Sequence, residues 1–212
     1  MLFIFMMFLF QDFKQDPELI LKRSDETRIM GESFRMNLTM QLYKDQQLDS
    51  EEELLVSMKG EDRSLVSFLN ANRKGQKVLS VEDNMWIYFP GTRKAMRITP
   101  LQRLLGDANN GDIARIRYAS DYNPKFLRTE TVNGELCNVL ELTAKSKQST
   151  YQKIEYYVNS ENFPRKAAFY LLSGKHFKTA YYESYKDGKL YKLRFVSELD
   201  KGSETLMIFK ST

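Results

Sequence analysis

Residues 34–42 alternate without a break: Phe34, Met36, Leu38, Met40 and Leu42 are apolar, and Arg35, Asn37, Thr39 and Gln41 are polar. A period of two puts the whole apolar set on one face of a β-strand. Further strand-like runs fall at 52–59, 64–70, 76–81, 85–89 and 94–99, parted by polar turns such as Gly60-Glu61-Asp62 and Pro90-Gly91. Connections this short join antiparallel neighbours. The second half follows the same logic with longer strands. Asn133-Gly134 is a two-residue hairpin signal between 126–132 and 135–144, and Gly174, Gly188 and Gly202 punctuate a meander rich in Tyr, Phe, Leu and Thr. The segments between those glycines do not resemble one another, so the spacing reflects strand length and not a repeat.

About a dozen strands with one apolar face need cover, and helical pattern is scarce. Asp16 and Pro17 predict a helix start, with Gly31 as its stop, so a helix is expected over 17–30. Thr99-Pro100-Leu101-Gln102 has the capping-box arrangement. It predicts a second helix with Leu101, Leu104 and Leu105 on one face and Gly106 at its end, and a further helical turn is expected around Ile113 and Ile116. So few short helices do not cover so wide a sheet. It must curl, either closing into a barrel or sandwich or leaving a concavity partly plugged by helices, and only the second outcome makes a binding site.

On that outcome the apolar cavity is lined by Phe34, Met36, Leu38 and Met40, with Leu101, Leu104 and Leu105 as a lid; the alternative for these leucines is ordinary core. Trp86 and Tyr88 share one face of a run whose other face carries Met85, Ile87 and Phe89, the pattern of a central strand with core on one side and a pocket on the other. The many methionines suit variable apolar ligands.

Charge points away from polyanions: 32 basic residues face 28 acidic ones, which makes nucleic acid a poor partner. Between 93 and 128, however, eight basic residues face three acidic ones, and Arg93, Arg97 and Arg103 are candidates for contact with anionic head groups or an acidic partner, against the plainer reading of a solvated rim. With His176 as the sole histidine, histidine triads and multi-histidine metal sites are excluded, and no nucleophile-elbow, zincin or phosphate-loop pattern occurs. Cys137, the sole cysteine, reads as a small buried hydrophobe. No catalytic residue, metal site or cofactor is expected; a hydrolase built on strand carboxylates such as Glu51, Glu52 and Glu53 ranks last. Residues 1–10 are wholly apolar but too short to span a bilayer, and read as the hydrophobic region of an incomplete signal peptide, with a short buried segment as the alternative.

The run KGQKVLSVEDNMWIYFPGTRKAMRITPLQRLLGDANNGDIARIRYASDY, through Gly75 to Tyr122, resembles the central signature of the outer membrane lipoprotein-sorting protein family, whose fold is similar to that of LolA and LolB. VLELTAKSK, YQKIEYYV and LLSGKHFKTAYYESY follow in the same order. The resemblance implies a mostly β chain with short helices, a curved antiparallel half-open β-barrel with a helical lid or plug. With the apolar start read as a residual signal or leader segment over 1–15, it implies a lipid- or lipoprotein-binding domain over 16–212, acting in the periplasm. Gly75, Trp86, Pro90, Arg93, Arg97, Arg103, Leu104, Gly106 and Asp112 carry over as structural or lid positions, and none is catalytic. The expected role is a carrier that holds lipid or lipoprotein acyl chains for transport to the outer membrane, with an inner-membrane transporter partner and peripheral membrane contact. The competing expectation is a non-catalytic interaction or sensing module.

Overall fold

The structure is a computed structural model that describes residues 16–29, 31–60, 62–114 and 117–211, with side chains left out at 103–105 and 211. The leader expected over 1–15 lies outside the described residues, as does Ile116. The first half forms β1 (Ser33–Lys44), β2 (Gln47–Lys59), β3 (Arg63–Phe68), β4 (Lys77–Val81), β5 (Asn84–Tyr88) and β6 (Met96–Ile98). Two short strands, β7 (Arg103–Leu105) and β8 (Ala108–Asn109), make a separate hairpin. The second half forms β9 (Tyr122–Val132), β10 (Glu135–Ala144), β11 (Lys153–Asn159), β12 (Pro164–Tyr170), β13 (His176–Lys186), β14 (Lys189–Ser197) and β15 (Ser203–Ser211). The described residues also form the α-helices α1 (Pro17–Glu26), α2 (Asn110–Ala114) and α3 (Tyr118–Asp121), and a 3-10 turn at Ala71–Arg73.

Each half is a meander, and the halves are zipped by the pairing of β1 with β15, from Met36 opposite Ser211 to Lys44 opposite Ser203. The result is one 13-stranded antiparallel sheet in the order β6-β5-β4-β3-β2-β1-β15-β14-β13-β12-β11-β10-β9. It is curved and unclosed, with β6 and β9 as its end strands. The two-residue period holds at atomic detail. Met36, Leu38 and Met40 are at most 1% exposed and share a face with Val56, Val66 and Val78, and across the seam with Met207 and Phe209. The same buried cluster takes in Ile20 and Leu21 of α1 and Ile113 of α2, so the helices lie against the concave face. A smaller cluster of Val132, Cys137, Val139 and Tyr157 lies apart from it.

The hairpin expected at Asn133-Gly134 forms, with Val132 opposite Glu135 and positive φ at both turn residues, 50° and 84°. The first helix also starts where expected. Asp16 accepts from the Glu18 amide at 3.0 Å, but the helix ends at Glu26, well short of Gly31. Thr27 turns the chain out: its hydroxyl donates to the Ser24 carbonyl at 2.7 Å, and its own carbonyl is taken by the Leu190 amide of β14 at 2.8 Å. A backbone acceptor captured by the sheet cannot extend the helix.

The helix expected from Thr99 does not form. Half of the capping box is present, since the Thr99 amide donates to Oε1 of Gln102 at 2.7 Å. The carbonyls of Pro100 and Gln102, which a helix would give to residues 104 and 106, accept instead from the Gly111 and Asn110 amides at 2.9 and 3.0 Å. The chain therefore makes one turn and enters the β7–β8 hairpin, placing Leu104 and Leu105 on a strand.

Candidate functional site

The concave wall is built by β1 and its neighbours. Of the residues expected to line an apolar cavity, Met36, Leu38 and Met40 lie on it fully buried, and Phe34 packs partly buried against the same cluster. Trp86 and Tyr88 do not join them. Met85 and Ile87 pack into the concave cluster, so the alternate residues of β5 face the convex side, where Trp86 aligns with Leu79 and Arg97. β5 is also next to an end strand and not central. Its second apolar face covers a convex row running through Leu65 and Leu79. Leu101 is exposed on the turn before β7, and Arg103, Leu104 and Leu105 are on β7 itself. Arg93 and Arg97 are exposed, and Arg97 donates to the side chain of Asn84.

The covering elements are tied to the sheet through two buried polar anchors. The deeper one centres on Lys178 of β13, whose side chain is 1% exposed. Its ammonium pairs with the Asp112 carboxylate of α2, donates to the Asp107 carbonyl at 2.6 Å, and sits 3.9 Å over the Phe195 ring. Asp112 also accepts from the Tyr151 hydroxyl at 2.8 Å and the Asn109 amide at 2.7 Å. Burial, with Asp112 beside it, pushes the Tyr151 phenol well above its ordinary range, so it remains a donor. Asp107 docks the hairpin turn onto β15, accepting from the Ser203 hydroxyl at 2.7 Å and donating its amide to Thr205 Oγ1 at 3.0 Å. Gly106, at φ 53°, sits so close there that a Cβ would fall 2.5 Å from both Leu42 Cδ1 and Thr205 Oγ1.

The second anchor joins α1 to α3. Asp25, paired with Arg28, accepts from the Tyr118 and Ala119 amides at 3.1 and 2.8 Å and so caps α3. The Arg28 guanidinium lies 4.0 Å over the Tyr118 ring. Burial pushes the Asp25 carboxyl up, opposed by Arg28 and the two amides. Of these residues, the sequence singles out Asp112 as a structural or lid position and does not reveal Lys178, Tyr151 or the Asp25–Arg28 pair. One signal was available: Lys178 alternates with Ala180 and Tyr182, the buried inward positions of β13.

Among the described residues, no group of three or more histidine, cysteine or acidic side chains is placed to hold a metal, and no helix is long and apolar enough to cross a membrane. Cys137 is fully buried, and burial pushes its thiol up.

A broad unclosed sheet bent over short helices, which rest on it through buried polar groups, defines an open half-barrel with an internal plug. A LolA superfamily protein from Nitrosomonas europaea superposes with a TM-score of 0.87 at 30% identity, covering 93% of this chain and 92% of that one. The chain belongs to the LolA superfamily. Two more distant structures share the fold. A DUF1329 family protein from Desulfovibrio piger has a TM-score of 0.78 at 21% identity, covering 92% of each chain. A domain from Vibrio parahaemolyticus ascribed to outer membrane lipoprotein sorting has a TM-score of 0.73 at 19% identity, covering 91% of this chain and 89% of that one. A family described as "Uncharacterized protein" matches residues 60–212. No curated protein matches.

Proposed function

We propose that this protein is a non-enzymatic periplasmic carrier that takes up an acyl chain of a lipid or lipid-modified protein against the concave wall and delivers it to the outer membrane. One observation carries the reading: the apolar concave face of a 13-stranded sheet is covered by helices of ten, five and four residues. Helices so short hold their place through tertiary contacts and not through their own stability. A ligand that replaces their apolar contacts can displace part of the cover. Met36, Met40 and Met207 on the wall are unbranched and adapt to different chains. In this reading Phe34, Met36, Leu38 and Met40 contact the acyl chain, and the segment carrying Leu101, Leu104 and Leu105 is the movable edge. Exposed Arg93 and Arg97, near the β6 end of the sheet, meet anionic head groups or a transporter in the inner membrane.

The test is native mass spectrometry of protein purified from an envelope fraction, paired with displacement of a fluorescent fatty acid. Wild type is expected to retain acyl lipid. The double substitution Leu104→Asp/Leu105→Asp is expected to abolish retention while the far-ultraviolet spectrum of the sheet is unchanged. A folded wild type that neither retains lipid nor binds the probe refutes the carrier reading.

A further inference from the structure

Between the C-terminal half of α1, the start of α3 and the β13–β14 turn lies a hollow of about 480 Å³ that the carrier reading does not use. Three cations line it: Lys22, Arg117 and Lys189. None of them has a carboxylate partner among the described residues. Lys189 donates to the Glu26 carbonyl at 2.6 Å, and Arg117 donates to the Gly31 and Glu32 carbonyls at 3.0 and 3.5 Å. Carbonyls orient a cation without neutralising it. Among the described residues the Nε–H of Arg117 is buried without an acceptor. Two acids also line the hollow, and one of them is spent: Asp25 is bound by Arg28 and two amides. Glu26 alone offsets the three positive charges.

The floor differs in kind from the rim. Ile29 belongs to the concave core cluster and Ala119 packs against it, so the hollow joins a cationic mouth to the apolar interior. We propose that this hollow binds a phosphate-type anion, held by Lys22, Arg117 and Lys189. Taken with the carrier reading, on which this assignment of source rests, the anion is the head-group phosphate of an acidic phospholipid whose chains run inward past Ile29.

The experiment uses the full chain, with two probes. Vesicles of phosphatidylcholine, alone or mixed with phosphatidylglycerol, supply lipid; inorganic phosphate is titrated separately while the Arg117 Nε–H resonance is followed by NMR. The comparison variants are Lys22→Gln/Lys189→Gln, both at the rim, and Arg117→Lys, which keeps the charge and loses the Nε–H. Wild type is expected to take up the anionic lipid about tenfold better than the zwitterionic one, and the double variant to lose that preference. If phosphate shifts the Arg117 signal, and the double variant abolishes the shift, but no lipid is retained, the site holds free phosphate; the inference then stands and the carrier reading falls. Lipid taken up without preference, together with an Arg117 signal indifferent to phosphate, overturns the inference and leaves the carrier reading intact. A preference or a phosphate shift that survives the double variant overturns the assignment to these residues. Neither lipid uptake nor a phosphate response would overturn both.

Discussion

Replacing Lys178 by Met tests whether the plug is held by the deep anchor. Methionine keeps the aliphatic stem against Phe195 but removes the charge paired with Asp112 and the donor to the Asp107 carbonyl. Removing one partner of a buried ion pair costs about 3–5 kcal/mol, because the other charge is left uncompensated. Here the Asp112 carboxylate keeps the Tyr151 hydroxyl and the Asn109 amide, which places the loss at the low end, about 3 kcal/mol. Asp112→Asn alone removes the carboxylate that faces the Lys178 ammonium and costs a similar amount, about 3 kcal/mol. The double variant Lys178→Met/Asp112→Asn removes both charges of this pair, and an asparagine Oδ1 still accepts from Tyr151 or Asn109. It is expected to lie within about 2 kcal/mol of wild type, giving a coupling of at least about 4 kcal/mol across the cycle. Urea denaturation followed by tryptophan fluorescence reads all four proteins, since Trp86 is the one reporter. Losses under about 1 kcal/mol for the single variants, or strict additivity in the double, would show that the pair does not hold the plug.

Three further outcomes follow from local chemistry. Glu135 accepts from Arg165 at 2.9 Å and from Asn159 at 2.8 Å, and these bonds hold its carboxyl below the ordinary range. Because the folded pKa is depressed, its stabilising contribution is present above the usual glutamate value of 4.5 and is lost as pH falls through the folded value. NMR titration should place its midpoint below 4.5, moving up in Arg165→Gln; an unmoved midpoint would discard this pairing. Cys137, fully buried with its thiol pushed up, should resist a thiol reagent in the native protein at pH 8 and react fully in urea, and rapid native labelling would contradict its burial. Gly111→Ala would drive a Cβ into the side chain of Thr150, so thermal denaturation should show a loss of about 1–3 kcal/mol, relieved by adding Thr150→Gly.

What the sequence disclosed and what it hid divide along locality. The alternation in β1, the Asp16-Pro17 helix start and the Asn133-Gly134 hairpin are each decided within a few residues, and each appears as read. Thr99-Pro100-Leu101-Gln102 was equally local, and its side chain–backbone bond did form. The helix failed because Asn110 and Gly111, eight and eleven residues on, took the carbonyls it needed, a competition that no capping rule includes. Trp86 and Tyr88 were assigned the right strand and the wrong side, since alternation fixes which residues share a face but not which face turns inward when both are apolar. The anchors were least visible. Asp112 and Lys178 are 66 residues apart, and a lysine in a strand reads as solvated until its neighbours Ala180 and Tyr182 prove buried.

The two halves of the cover should yield unequally when an acyl chain enters. A chain replaces apolar contacts but offers nothing to Asp112, Lys178 or Asp107, so moving α2 would strand charges in a dry interior at several kcal/mol each. The turn from Thr99 to Gln102 carries no such penalty: Leu101 and Gln102 are exposed, and the turn is tied to α2 by the Pro100 and Gln102 carbonyls, which accept from the Gly111 and Asn110 amides and from the Asn110 side chain. Loading should therefore peel that turn away and leave α2 seated. Hydrogen exchange separates the cases at single amides. On addition of fatty acid, Asn110 and Gly111, whose acceptors are Gln102 and Pro100, should exchange at least tenfold faster. Asn109, bonded to Asp112, and Asp107, bonded to Thr205, should stay protected. Faster exchange at Asn109 and Asp107 would mean that the ion pair itself opens, and the movable element would then be α2 with its whole polar anchor.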